Sequence, residues 1–392
     1  MSEEKLVPKL RFSGFDDEWI KVPAGEIFKN VSNKNHDGTL PILAVTQDKG
    51  VVPRDSIDFD IKTSEKSVKS YKIIEPGDYV ISLRSFQGGI EYSYIKGICS
   101  PAYTVLKPKK DIFDDFYKFY LKKDEFISRL NYAVIGIRDG KQISYKDFSE
   151  IKIPYTSVPE QKRISEFLNV IDSKITLLEK KYENYINFKK YLMQQIFAQK
   201  LRFDFKEEWE NVTLNEVAFI PKKTKLNSVD GLKLLTVKLH AKGIEINDKI
   251  KPKLTKRGRP YYIRQQGELL IGRQNFHNGG MGIVPKSLDG GICSNAISSF
   301  KVFEDKIDIT YLYYFLSREE YYKKSERLIG GTGQKEFSEK ELLKLKIDLP
   351  SLEEQKKIIK LFLSIDNKIN GCENQLNKSQ EFKKGLLQQM FV

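Results

Sequence analysis

Residues 152–197 read KIPYTSVPEQKRISEFLNVIDSKITLLEKKYENYINFKKYLMQQIF, and residues 346–391 read KIDLPSLEEQKKIIKLFLSIDNKINGCENQLNKSQEFKKGLLQQMF. The two stretches align without a gap at a constant offset of 194, with 19 identities in 46 positions. Glu160-Gln161-Lys162 recurs as Glu354-Gln355-Lys356, Ile171-Asp172 as Ile365-Asp366, and Phe188-Lys189-Lys190 as Phe382-Lys383-Lys384. Each begins with Ser-x-x-Glu (Ser157 to Glu160, Ser351 to Glu354), the pattern of a helix capping box. Unbroken heptads follow. In the first stretch the a positions are Ile164, Ile171, Leu178, Tyr185 and Leu192, and the d positions are Leu168, Ile175, Tyr182, Lys189 and Ile196. In the second they are Ile358, Ile365, Cys372, Ser379 and Leu386, with Phe362, Ile369, Leu376, Lys383 and Met390. A seam this long predicts a coiled coil. Two separate amphipathic core helices are the alternative, but ordinary globular helices average only about 11–12 residues.

The duplication extends outward from these helices. Leu10-Arg11-Phe12 recurs as Leu201-Arg202-Phe203, each followed by acidic residues and a tryptophan, Trp19 or Trp209. Lys49-Gly50-Val51 returns as Lys242-Gly243-Ile244, Gly77–Ile81 as Gly267–Ile271, and Gly97–Ser100 as Gly291–Ser294. A period of about 190 residues is far beyond a solenoid repeat of 20–45. It signifies two copies of one domain-plus-helix unit. The expected architecture is α+β. Globular domains at 1–155 and 201–349 each hand over to a long helix, at 156–200 and 350–392. Connectivity makes an antiparallel helix pair the economical arrangement, holding two mixed α/β domains roughly 60 Å apart about an internal pseudo-two-fold axis. Within the domains, Gly77–Leu83 and Glu268–Gly272 predict strands, and Phe113–Leu130 and Ile309–Arg327 predict aromatic-rich helices.

The chain has 392 residues, 67 Lys or Arg against 53 Asp or Glu, and a formal charge of +14. The two halves carry net +5 and +9, so no single basic tail explains the surplus. Such a surplus favours a polyanionic partner. The densest cluster is Lys249, Lys251, Lys253, Lys256, Arg257 and Arg259, with Gly258 and Pro260 marking it as a loop. Cys99, Cys293 and Cys372 are odd in number and far apart, which excludes a disulfide framework and a CxxC knuckle. Three histidines leave little for histidine catalysis. The N-terminal stretch lacks the apolar core of a signal peptide and no apolar run reaches the ~18–20 residues of a membrane span. A cytoplasmic location is expected.

Catalytic signatures are missing. No phosphate-binding loop occurs; Gly331–Glu336 lacks the hydroxyl residue and the spacing. There is no Asn- or Asp-Pro-Pro-aromatic stretch, no Gly-x-Ser-x-Gly elbow and no His-Glu-x-x-His helix. Asp/Glu-x-Lys triplets such as Asp60–Lys62 arise by chance in so lysine-rich a chain. For reading DNA, Arg and Lys suit guanine while Asn and Gln suit adenine. Arg84 and Gln87 lie just before Gly88-Gly89; Arg273, Gln274, Asn275 and His277 hold the matching place before Gly279-Gly280. Arg138 and Lys141 match the region of Lys335 in the second copy. Arg257 and Arg259 suit phosphates.

The repeat order, the Glu-Gln-Lys helix starts and the Leu-x-Gln-Gln-x-Phe helix ends together resemble the specificity subunit of type I restriction-modification enzymes, over essentially the whole chain. The second copy departs slightly, with Glu353 where the first has Pro159. The resemblance implies a non-catalytic subunit that reads a bipartite, asymmetric DNA target. Its partners would be two methyltransferase subunits, which carry S-adenosylmethionine, and two restriction subunits, which carry ATP and magnesium. No cofactor is expected on this chain. Glu160, Gln161, Lys162, Glu354, Gln355 and Lys356 are the expected subunit-docking residues. A self-contained methyltransferase or nuclease, and a protein-binding adaptor with incidental basic charge, are the competing readings.

Overall fold

The computed structural model describes residues 6–47, 49–57, 65–134, 143–254, 258–325 and 336–392. The chain divides into two compact units: residues 1–179 with 374–392, and residues 180–373. Two long helices, α1 (Val158–Phe197) and α2 (Leu352–Met390), each contribute one part to each unit.

In the first unit a four-stranded antiparallel sheet is built from β1 (Phe28–Val31), β2 (Tyr79–Ile81), β3 (Glu91–Tyr92) and β4 (Thr104–Pro108), in the order β1-β4-β2-β3. The second unit repeats it with β5 (Ala218–Phe219), β6 (Leu269–Gly272), β7 (Met281–Ile283) and β8 (Ile297–Val302), in the order β5-β8-β6-β7. Each unit adds the same antiparallel satellites. A hairpin joins Leu43–Thr46 to Gly50–Pro53, and its counterpart joins Leu235–Val237 to Ile244–Ile246. A second pair joins Lys72–Ile74 to Gly97–Cys99, and Tyr261–Ile263 to Ile292–Ser294. A third ties Ile20–Pro23 to Lys152–Tyr155 and Glu210–Thr213 to Lys346–Leu349, so the strand entering each domain pairs with the strand leaving it. Gly97 and Gly291 explain why this packing repeats. A Cβ on Gly97 would lie 2.5 Å from the Pro41 carbonyl oxygen, and one on Gly291 2.6 Å from Leu235.

The heptad seam holds in both helices: every a and d position is buried or half-buried. Within each unit the helix segments run antiparallel. In the first, Ile164, Leu168 and Ile171 share a core with Leu386 and Met390, and Lys383 pairs with Asp172 at 2.5 Å. In the second, Leu192, Met193 and Ile196 share a core with Ile358, Phe362 and Ile365, and Lys189 pairs with Asp366 at 2.5 Å. The Tyr314 hydroxyl also donates to Asp366 at 2.7 Å. Asp366→Asn is therefore expected to destabilise the second unit by about 1–2 kcal/mol. Asp172→Asn, which loses one partly exposed ion pair, should cost the first unit about 0.5–1 kcal/mol. Chemical denaturation of each variant checks the difference.

Two expected helices are broken. Phe113–Leu130 is two helices, Phe116–Tyr120 and Asp124–Val134, and Ile309–Arg327 begins as Ile309–Leu316 and Glu319–Ser325. At the first break the Leu121 carbonyl accepts from the Ile90 amide at 3.3 Å rather than continuing a helix. At the second, the Arg318 guanidinium stacks 4.0 Å from the Phe315 ring and donates to the Phe315 carbonyl at 2.9 Å, closing the helix end.

Candidate nucleic-acid interface

Each domain is held to its long helix by a buried clasp. Glu160, on the first turn of α1, is 1% exposed. It accepts from Arg11 Nε at 2.7 Å and Nη2 at 2.9 Å, from Trp19 Nε1 at 3.0 Å, and from the Thr156 hydroxyl. Glu354 repeats this with Arg202 Nε at 3.1 Å, Arg202 Nη2 at 2.7 Å and Trp209 Nε1 at 3.0 Å. The bidentate fork holds both guanidinium groups above their ordinary pKa. The adjacent glutamines complete the joint. Gln161 accepts from the Phe113 amide at 2.9 Å and donates to the Thr156 carbonyl at 2.7 Å. Gln355 accepts from the Asp308 amide at 2.8 Å and donates to the Pro350 carbonyl at 2.9 Å.

These contacts correct the capping-box expectation. Neither glutamate closes a capping box, because each carboxylate turns inward to an arginine and a tryptophan; Ser351 Oγ accepts only a long 3.5 Å bond from the Glu354 amide. Of the six expected docking residues, Glu160, Gln161, Glu354 and Gln355 are buried within the chain, while Lys162 and Lys356 are exposed.

The loop after the second strand of each sheet gathers the candidate base readers. In the first unit β2 runs into a one-turn helix, Ser85–Gly88. Arg84 and Gln87 are exposed there. Gln47, at the tip of the neighbouring hairpin, donates to the Arg84 carbonyl at 3.1 Å and to Gln87 Oε1 at 3.2 Å. An open groove of about 660 Å³ runs beside them, lined by Gln47, Arg54, Tyr71, Arg84 and Tyr103 among others. In the second unit β6 runs into a one-turn helix, Phe276–Asn278. The hairpin tip again closes on it, through His240 N to the Asn278 carbonyl at 2.8 Å and Ala241 N to the Gly279 carbonyl at 2.7 Å.

The second-copy candidates separate by their surroundings. Arg273 is committed inside the protein: Nε to the Phe337 carbonyl at 2.9 Å, Nη1 to the Asn295 carbonyl at 3.3 Å, and Nη2 to Glu336 at 3.2 Å. Gln274 points at the same Glu336, 3.5 Å away. His277 is half-buried against Asn278, with Nδ1 buried and unpartnered among the described residues. Asn275 is exposed. Arg259 is exposed beside the exposed Lys249, Lys251 and Lys253. Arg138, Lys141, Arg257 and Lys335 lie outside the described residues.

Sequence reasoning missed Gln47 and His240. His240 and Ala241 have φ of 58° and 51°, left-handed for two consecutive non-glycine residues, and such strain concentrates at working surfaces. No residue pattern announces it. Cys99, Cys293 and Cys372 are buried free thiols, and burial pushes Cys99 up to about 12 and Cys293 up to about 11. Among the described residues no cluster of His, Cys, Asp or Glu could hold a metal ion, and no helix is long and apolar enough to cross a membrane.

The type I restriction modification DNA specificity domain matches this chain twice, at residues 17–187 and 206–380. The chain is 27% identical to the type I restriction enzyme MjaVIII specificity subunit of Methanocaldococcus jannaschii, over 95% of this chain and 91% of that one. It is 26% identical to the putative MjaX specificity subunit of the same organism, over 72% and 68%. The fold is similar to that of the S subunit of a type I restriction-modification system from M. genitalium, with a TM-score of 0.62 at 15% identity over 98% of this chain and 99% of that one. It is also similar to a chain from a structural study of complex assembly and conformational transition in a type I system, with a TM-score of 0.53 at 16% identity over 95% and 97%. The chain therefore belongs to the type I restriction-modification DNA specificity family. Its role is that of a specificity subunit, which recognises DNA and is not itself the catalyst.

Proposed function

We propose that the chain reads a bipartite, asymmetric DNA target, one half with each recognition domain (1–155 and 201–349). In this reading it carries two methyltransferase subunits, and through them two restriction subunits. The observation that carries it is one frame presenting two different surfaces. The sheets, hairpins and clasps repeat strand for strand, while the exposed side chains at the reading loops differ, Arg84 and Gln87 against Asn275. A repeated frame gives two equivalent docking sites; different readers give different half-sites. The helices at 156–200 and 350–392 set the spacer, which fits α1 being one unbroken helix from Val158 to Phe197. Methyltransferase contacts fall to exposed groups near the helix starts. Open grooves lie there, one of about 360 Å³ lined by Phe12, Pro159, Lys162 and Arg163, the other of about 680 Å³ lined by Lys356, Ile359, Lys360 and Leu363.

The test is reconstitution. The purified chain with S-adenosylmethionine should transfer no methyl groups. Combined with its methyltransferase subunit it should methylate one two-part motif with unlike halves, and native mass spectrometry should show two methyltransferases per chain. Methyl transfer by the chain alone, or a single continuous motif, counts against the proposal.

A further inference from the structure

We infer that Arg84 and Asn275 occupy one and the same reading position in the two domains, and that they give the half-sites a guanine and an adenine respectively at the corresponding base pair. This deepens the proposed bipartite reading and rests on it.

Backbone geometry establishes the equivalence. Arg84 has φ −118° and ψ 12°; Asn275 has φ −121° and ψ 11°. The Arg84 carbonyl accepts from the Gln87 amide at 2.8 Å, and the Asn275 carbonyl accepts from the Asn278 amide at 3.1 Å, each three residues on. Each short turn then ends on a positive-φ glycine, Gly89 at 83° or Gly279 at 68°. Sequence alignment alone sets Arg84 against Gln274, because β6 reaches Gly272 before turning and the second turn is one residue shorter.

Donor accounting selects these residues from their neighbours. A side chain reads a base edge with hydrogen-bonding groups that the protein has not already satisfied. The Arg273 guanidinium is held by two carbonyls and a carboxylate, Gln274 faces that carboxylate, and His277 is half-buried. In the first domain, Gln87 already accepts from Gln47. The guanidinium of Arg84 and the amide of Asn275 are exposed, and among the described residues neither has a side-chain hydrogen bond or ion pair. Among the described residues, Arg84 and Asn275 are the polar side chains on these loops with no hydrogen-bonding group committed inside the protein, and the two fall in the same slot. Arginine presents a donor fork that fits guanine O6 and N7; asparagine presents a donor and an acceptor that fit adenine N6 and N7.

The experiment uses the full chain in complex with its methyltransferase, carrying wild type, Arg84→Asn, Arg84→Lys, Asn275→Arg or Asn275→Asp, and maps methylated sites across a genome. Wild type must first show a two-part motif; without one the bipartite reading falls and takes this inference with it. Given that motif, Arg84→Asn is expected to lower methylation of the original site about 10- to 100-fold. It should shift or relax preference at one base pair of one half-site, leaving the other half unchanged. Asn275→Arg should do the same in the other half. Arg84→Lys should keep guanine at reduced rate, and Asn275→Asp should lose adenine while the complex still assembles. Unchanged motifs at unchanged rates overturn the inference while the bipartite reading stands. So does a uniform rate loss with the motif intact, since that is the signature of a phosphate contact.

Discussion

Glu160→Ala is expected to destabilise the first unit by about 3–5 kcal/mol, because it removes a buried carboxylate that neutralises a half-buried arginine and satisfies a buried indole. The carboxylate is the meeting point of four donor groups: two on Arg11, one on Trp19 and one on Thr156. Arg11 and Glu160 are 149 residues apart, so the bond pins the segment entering the domain to the helix leaving it. Trp19 is 1% exposed and packs 6.0 Å from the Phe116 ring and 6.1 Å from Phe391. Its indole N–H would be left unpaired in that interior, a further penalty. For a unit of this size, whose total stability is about 5–15 kcal/mol, the melting temperature should fall by ~10–15 °C. Glu160→Gln, which retains hydrogen bonding but not charge, should fall between. Glu354→Ala should place the same damage in the second unit. Hydrogen exchange resolved by peptide reads the two units separately. Equal protection of Trp19 and its neighbours in Glu160→Ala and wild type would refute the clasp.

Gly89→Ala is expected to cost the first unit about 3 kcal/mol or more, through two independent effects. The residue has φ 83° and ψ −167°, a region essentially reserved for glycine. A Cβ there would also sit 2.3 Å from the Leu121 carbonyl oxygen. That oxygen cannot withdraw freely, because it accepts the Ile90 amide and marks the helix break. Gly77→Ala is the control. Its φ is 93°, but an added Cβ meets nothing within 4 Å, so only the strain of about 1–2 kcal/mol remains. On the reading proposed above, Gly89→Ala should also disturb recognition at the half-site assigned to Arg84, since the glycine closes the same turn. Equal stability losses in the two variants would show that the Leu121 contact is not limiting.

The long helices were legible because their heptads repeat and because a duplicated chain supplies an internal comparison. The clasp was visible only as a coincidence of recurring residues. Leu10-Arg11-Phe12, Trp19 and Glu160 recur together as Leu201-Arg202-Phe203, Trp209 and Glu354, yet nothing in the spacing says that they touch. The local Ser-x-x-Glu pattern suggested a cap instead, and the tertiary pull of an arginine and an indole redirected the carboxylate. The helix breaks were hidden for the same reason. No glycine or proline stands at Leu121–Lys123 or at Ser317–Arg318; the turns are made by a carbonyl taken by Ile90 and by an arginine folded over Phe315. At the candidate loops, residue type singled out Arg84, Gln87 and residues 273–277. Only the surrounding carbonyls and carboxylates showed that Arg273 faces the protein while Asn275 does not.

The division of the chain also fixes an order of events during synthesis. The second unit, residues 180–373, is one continuous segment and has all its parts once that segment emerges. The first unit does not: its core includes Leu386, Met390 and Phe391, and the Leu10 amide donates to the Gln389 carbonyl at 2.9 Å. At ~5–20 residues per second on the ribosome, the first domain waits roughly 10–40 s for the residues that complete its core. Through that interval Trp19, Phe116 and Tyr120 lack the Phe391 ring that packs on them. The half made first is thus the half finished last, and it is the half for which a chaperone, or a nascent chain stalled before residue 386, matters most.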